Sequence, residues 1–125
     1  MPNERPHRRL LAWQENMKLA AEAYALTNRL PAEERFALTN QMRRAAVSIP
    51  SNIAEGAARG SKKEFARFLG LPRGSLSELD TQITLAKNLG FVTDTADIED
   101  QVNRVYRLIN GLISSTRAEL ETNHQ

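Results

Sequence analysis

Cysteine is absent from the 125-residue sequence, which excludes disulfides, thiolate nucleophiles and cysteine-ligated zinc or iron–sulfur centres. Only two histidines are present, His7 and His124, near the two termini, where ordering is weakest. Imidazole catalysis and histidine metal ligation therefore have little to build on. Aromatic residues make up 6% of the chain, so the core must come from Leu, Ile, Val, Ala and Met, a mixture that favours helices over sheet sandwiches. No run approaches the ~20 apolar residues that span a bilayer, and the N-terminus has no apolar secretory segment. A cytoplasmic protein without a membrane partner is the expectation.

What is present suits one packed domain: hydrophobic residues are 41% and charged residues 26%, with only 5 Pro and 6 Gly. The formal net charge is +2, too small by itself to name a partner. Its distribution says more, because residues 1–75 carry 13 Lys/Arg against 7 Asp/Glu, and residues 76–125 carry 4 against 8. Such asymmetry either steers an anionic partner to one surface or balances packed helices in an oligomer.

Four helical segments follow from the apolar spacing. From Leu11 to Leu30, Trp13, Met17, Ala20, Tyr24 and Thr27 recur every three or four residues, with Leu19, Ala23 and Leu26 widening the face. A second segment begins near Pro31–Glu34 and runs through Phe36, Met42, Ile49 and Ile53 to a stop at Gly56–Gly60. Pro50 either kinks this helix or breaks it at Ile49-Pro50. Ser61 and Glu64 have capping-box spacing and open a third helix that reaches Asn88-Leu89-Gly90, with a bend expected at Pro72. The fourth starts near Asp94–Asp97. Short turns favour antiparallel neighbours, so the expected fold is all-α, an antiparallel up-and-down four-helix bundle over residues 10–120 between a flexible tail at 1–9 and a frayed one at 121–125.

Two residue sets carry chemical information. Arg44, Ser48, Asn52, Glu55 and Arg59 share one helix face, with Arg43 beside it, and Gly74, Ser75 and Glu78 on the third helix offer a counterpart. Read structurally, they form a polar packing network that fixes helix or subunit pairing, with Glu55 paired to Arg44, Arg59 or a basic residue on another helix, Ser48 and Asn52 satisfying carbonyls loosened by Pro50, and Gly74 admitting another backbone. Read functionally, they line a ligand or nucleic-acid surface. The second set, Arg59, Lys62, Lys63, Arg67 and Arg73, gathers around a helix start and suits RNA or DNA phosphates, without zinc-finger, RNA-recognition or helix-turn-helix patterns.

Catalytic and cofactor signals are missing from the sequence. Gly56–Lys63 lacks phosphate-loop order, there is no Glu-x-x-His pair of the di-iron bundle type because neither histidine lies within a helix core, no His-Glu-x-x-His motif occurs, and Ser75 has no histidine base. No metal, no cofactor and no enzymatic activity are expected.

The combination of Trp13, Tyr24-Ala25-Leu26-Thr27, Leu30-Pro31-x-x-Glu34-x-Phe36-x-Leu38-Thr39-x-Gln41-x-Arg43-Arg44-Ala45, Ser48-Ile49-Pro50-x-Asn52-Ile53-Ala54-Glu55-Gly56 and Gly74-Ser75-x-x-Glu78-Leu79 resembles the four-helix bundle proteins named after 23S ribosomal RNA intervening sequences. The resemblance spans about residues 10–118. It implies a four-helix protomer in a closed homopentamer with a central channel. That family is also similar to the accessory variability proteins of diversity-generating retroelements, which implies nucleic-acid contact and a nucleic-acid-processing protein partner. The chain departs from the family pattern at Leu71-Pro72, where an uninterrupted helix is expected.

Overall fold

The computed structural model describes residues 5–123. The outermost parts of both expected tails, His124 among them, lie outside these residues. A 3-10 turn at Pro6–Arg9 leads into helix α1 (Leu11–Thr27), and a second 3-10 turn at Ala32–Glu34 precedes α2 (Leu38–Ala58). Then come α3 (Lys62–Phe68), α4 (Gly70–Asn88) and α5 (Ala96–Asn123). The described residues hold no strand. The fold is all-α, with four helices of which α3–α4 is the bent one.

The bend falls at Leu69, one turn before the proline expected to cause it. Pro72 has no amide to offer the carbonyl of Phe68 and its ring crowds that carbonyl. The helical path therefore closes at Phe68 and restarts at Gly70, leaving Pro72 in the first turn of α4, where a missing N–H costs little. Pro50 behaves differently: α2 runs through it unbroken. The carbonyl left without an amide donor is that of Ala46, and side chains bond the carbonyls beside it, Ser48 Oγ donating to Ala45 O at 2.7 Å, Ser51 Oγ to Val47 O at 2.8 Å and Asn52 Nδ2 to Ser48 O at 2.8 Å.

Helix ends follow local chemistry. Ser61 Oγ accepts the Glu64 amide at 3.1 Å, and Gly60 and Gly90 take positive φ values of 76° and 78°, which glycine adopts without Cβ strain. The start of α2 corrects the sequence reading. Ala37 has φ −122° and ψ −107°, so helical phase is lost between Glu34 and Leu38. Phe36, expected on the buried stripe, is 86% exposed.

The core is built from Leu19, Ala23 and Leu26 of α1, Met42, Ile49 and Ile53 of α2, Leu76, Leu79 and Ile83 of α4, and Val102, Val105 and Ile109 of α5. On α1 the buried arc is displaced from the expected stripe. Met17 and Tyr24 are half-exposed, whereas Glu15 and Asn16 are buried. α2 packs against both α1 and α4, and α5 closes the bundle against α1, α3 and α4.

Candidate nucleic-acid interface and polar helix face

Cross-bundle contacts fix which residues share an end. Glu15 of α1 meets Gln101 and Arg104 of α5, Arg43 of α2 meets Thr27 and Asn28 after α1, and Lys87 of α4 meets Glu99 of α5. These pairs run antiparallel. The turn at Pro6–Arg9, the end of α2, α3, the start of α4 and the end of α5 therefore lie together, and the Leu30–Ala37 connection joins the end of α4 and the start of α5 at the other pole.

This turns an asymmetry along the sequence into one along the bundle. Residues 5–13, 55–73 and 107–123 at the first end include ten Lys/Arg and four Asp/Glu, and all ten cations are exposed. Residues 22–38 and 83–100 at the second end include three Lys/Arg and seven Asp/Glu.

Four of the five basic candidates are engaged within the chain. Arg59 Nη2 lies 3.1 Å from Glu55 Oε1, one turn earlier on α2, and its guanidinium stacks 4.6 Å above the Phe68 ring. Lys62 Nζ is 3.0 Å from Glu119 Oε2 and ties α3 to α5, and Arg67 Nε is 3.7 Å from Glu64 Oε2. Arg73 reaches Asn110 Oδ1 at 3.5 Å. Lys63 is exposed and makes no hydrogen bond or ion pair among the described residues. Exposed pairs of this kind are worth about 0–1 kcal/mol each and exchange readily with solvent or a phosphate.

Adjacent arginines on α2 have separate roles. Arg43 is an internal tie, with Nε donating to Thr27 Oγ1 at 2.8 Å, Nη2 to Asn28 Oδ1 at 2.9 Å, and its guanidinium 4.7 Å from the Tyr24 ring centroid. Arg44 stands between two open grooves that it lines together with Ser48. One, of about 420 Å³, lies between α1 and α2 and reaches Tyr24 and Val47; the other, of about 410 Å³, lies between α2 and α4 and reaches Gln41 and Glu78. No ion pair joins Arg44 to Glu78 among the described residues.

The remaining polar-face residues do not cross-link the helices. Ser48 and Asn52 bond backwards along α2, Glu55 pairs with Arg59 on its own helix, and Glu78 Oε1 accepts from Gln82 Nε2 at 3.3 Å on α4. Ser75 is half-buried and Gly74 exposed. No atom lies within 4 Å of a Cβ built at Gly74, and the close approach occurs at Gly56, where such a Cβ would sit 2.7 Å from Phe68 Cβ. The pressure for a small residue within the protomer is therefore at Gly56, where α2 crosses α3, and not at Gly74 on α4.

The best-buried charge cluster was not legible from the sequence. Glu15, only 6% exposed, takes Lys18 Nζ at 2.9 Å on Oε2 and Arg104 Nε at 2.6 Å on Oε1. Hydrogen bonds from Lys18 and then Arg104 outweigh the desolvation penalty and lower its pKa to about 2. Lys18, three residues along the same helix, was the one local signal; Arg104 comes from α5 and had none. At the acidic end, burial and the charges of Asp97 and Glu15 push the Glu22 carboxyl above its ordinary value. Neither carboxyl is hydrogen-bonded to a hydroxyl among the described residues, and no three His, Cys, Asp or Glu side chains among them converge as a metal site. No helix there is long and apolar enough to cross a membrane.

Comparison with curated proteins returns no match. The family model described as 23S rRNA-intervening sequence protein matches residues 8–111, a stretch that includes the α2 polar face, the Gly56 crossing and most of the basic end. By that match the chain belongs to the 23S rRNA-intervening sequence protein family.

Proposed function

We propose that the protein is a non-enzymatic, self-associating helical scaffold in the cytoplasm whose basic end holds the phosphate backbone of RNA or DNA. The observation that carries this reading is the collection of ten exposed Lys/Arg against four Asp/Glu at one end of the bundle. Arg59, Lys62, Lys63, Arg67 and Arg73 supply the contact, because their surface ion pairs are weak enough to be exchanged for phosphate. The aromatic rings beside them are enclosed, Phe68 buried under Arg59 and Phe65 in the wall of an apolar cavity, which favours backbone contact over base recognition. Assembly, as the homopentamer that the family resemblance implies, multiplies a modest charge patch by avidity. It also covers Tyr24, Val47, Leu71 and Leu85, which the single chain leaves 43%, 43%, 53% and 46% exposed. The resemblance drawn between its family and retroelement accessory proteins implies a nucleic-acid-processing protein as partner.

A second reading is favoured by the ion pairs Arg59–Glu55, Lys62–Glu119 and Arg67–Glu64: the same charges serve packing and subunit pairing, and the protein is a structural or protein-interaction module. Joint replacement of Arg59, Lys62 and Lys63 by Gln separates the two. Binding of labelled structured RNA and duplex DNA is measured by fluorescence anisotropy across salt, where each phosphate contact contributes a slope of about 0.9 in log K against log salt. Mass is followed in parallel. Loss of binding at unchanged mass supports the scaffold reading, dissociation supports the second, and a wild-type protein without salt-sensitive binding to either nucleic acid overturns the first.

A further inference from the structure

Phe36 is 86% exposed, more than any other large apolar side chain described. It lies in the turn before α2, next to Glu33 and Glu34, at the end of the bundle where Asp/Glu outnumber Lys/Arg seven to three. The Arg35 guanidinium, 5.7 Å from its ring centroid, covers one side. Nothing in the protomer's packing asks for a phenyl ring at this position.

The opposite end carries an open apolar depression. There an apolar cavity of about 250 Å³ opens between the Pro6–Leu10 stretch and the α2–α3 crossing, walled by Leu10, Ala57 and Phe65 and bordered by Lys62. A cavity of roughly 150 Å³ with apolar walls holds a benzene molecule, so this one has room for the ring of a phenylalanine. It sits among the ten cations of the basic end. Within one chain ring and cavity cannot meet, because Leu38 and Ala57 are separated by almost the full length of α2, about 30 Å at ~1.5 Å per residue.

We infer that the acidic end of one copy docks on the basic end of a second copy, with Phe36 seated in the cavity formed by Leu10, Ala57 and Phe65. Opposite charge brings the two ends together and sets their orientation, and burial of the ring holds them. The occupant is a second copy because knob, cavity and both charge signs are carried by the same chain. The contact is heterologous: each docked copy still presents a free cavity at one end or a free Phe36 at the other, so the contact repeats into a ring or a row. It goes beyond the proposed function, and since it uses the basic end, nucleic acid and the acidic end of another copy compete for the same cations.

The test uses the full chain. A photoreactive benzoylphenylalanine in place of Phe36 is irradiated at about 50 mM salt, where exposed charges are weakly screened, and the adducts are mapped. Adducts between chains at residues 6–10 or 57–65 are expected; adducts confined to other regions overturn the proposal. In parallel, sedimentation of Phe36→Ser at low salt is expected to show association weakened tenfold or more relative to wild type, with unchanged helical circular dichroism, since one buried phenyl ring accounts for at least that factor. Raising salt to about 0.5 M weakens the wild-type contact in the same direction. Equal association of Phe36→Ser and wild type, or a wild type that stays a monomer at every concentration, overturns it. A ring built through the flank around Arg44 and Val47 keeps its mass in Phe36→Ser, so failure of the end contact and failure of the pentamer are read separately.

Discussion

Gly56 and Phe68 are in direct backbone-to-side-chain contact at the α2–α3 crossing: a Cβ at residue 56 would lie 2.7 Å from Phe68 Cβ and 3.2 Å from Phe65 Cδ1. Neither neighbour can yield easily, because Phe68 Cβ is fixed to its backbone and both rings bear on the cavity wall or the core. Gly56→Ala is therefore expected to destabilise the fold by up to about 2 kcal/mol, the overpacking cost of ~1–3 kcal/mol less the ~1 kcal/mol that alanine gains in helix propensity. Gly74→Ala, with open space around it, is expected to stabilise the isolated protomer by about 0.5–1 kcal/mol. Urea unfolding of the two variants should shift in opposite directions.

Glu15 makes the fold acid-sensitive in a defined window. Its pKa is about 2 when folded against an unperturbed 4.5, so between those values the unfolded chain binds the proton first and stability falls as pH falls. Its contribution is complete above about pH 4.5 and gone below about pH 2. Denaturation midpoints measured from pH 6 downward should drop across this range in the wild type, and the drop should be smaller in Glu15→Gln.

Glu22 carries the opposite sign. Burial, then Asp97 and Glu15, raise its pKa, so its ionisation works against folding and stability contributed by the protonated form is lost as pH rises through the folded pKa. Glu22→Gln is expected to raise the thermal midpoint at pH 7 and to leave it nearly unchanged at pH 4. An equal effect at both pH values would point to packing instead of charge.

Core and surface contributions should separate cleanly. Ile49 is fully buried in α2, and Ile49→Ala is expected to cost about 2–5 kcal/mol through lost contacts and a cavity. Lys62→Met breaks the ion pair to Glu119, whose side chains are 56% and 54% exposed, and is expected to change stability by less than about 1 kcal/mol. Differential scanning calorimetry of both variants gives the comparison.

The four helical segments, the stop glycines at 60 and 90 and the Ser61 cap were legible in the sequence, because periodicity, φ > 0 and capping are properties of a few adjacent residues. Phe36 was misread because a stripe of apolar spacing does not report a break in helical phase, and Ala37 breaks it. Met17 and Tyr24 were placed inward for a related reason: an apolar arc wider than the buried one leaves its centre undetermined until a neighbouring helix covers part of it.

By itself the sequence determined an all-helical chain without thiol chemistry, with a charge surplus in its first part and a deficit in its last, since these depend only on composition and local spacing. Tertiary structure decided everything that needs two distant segments. It brought Arg104 to Glu15, made Arg43 a tie and left Arg44 open, moved the close packing from Gly74 to Gly56, and, by folding the helices antiparallel, turned charge order along the chain into a bundle with a basic and an acidic end. The reason is physical: side-chain roles are set by which neighbours exclude water from them, and those neighbours lie many residues away in the chain.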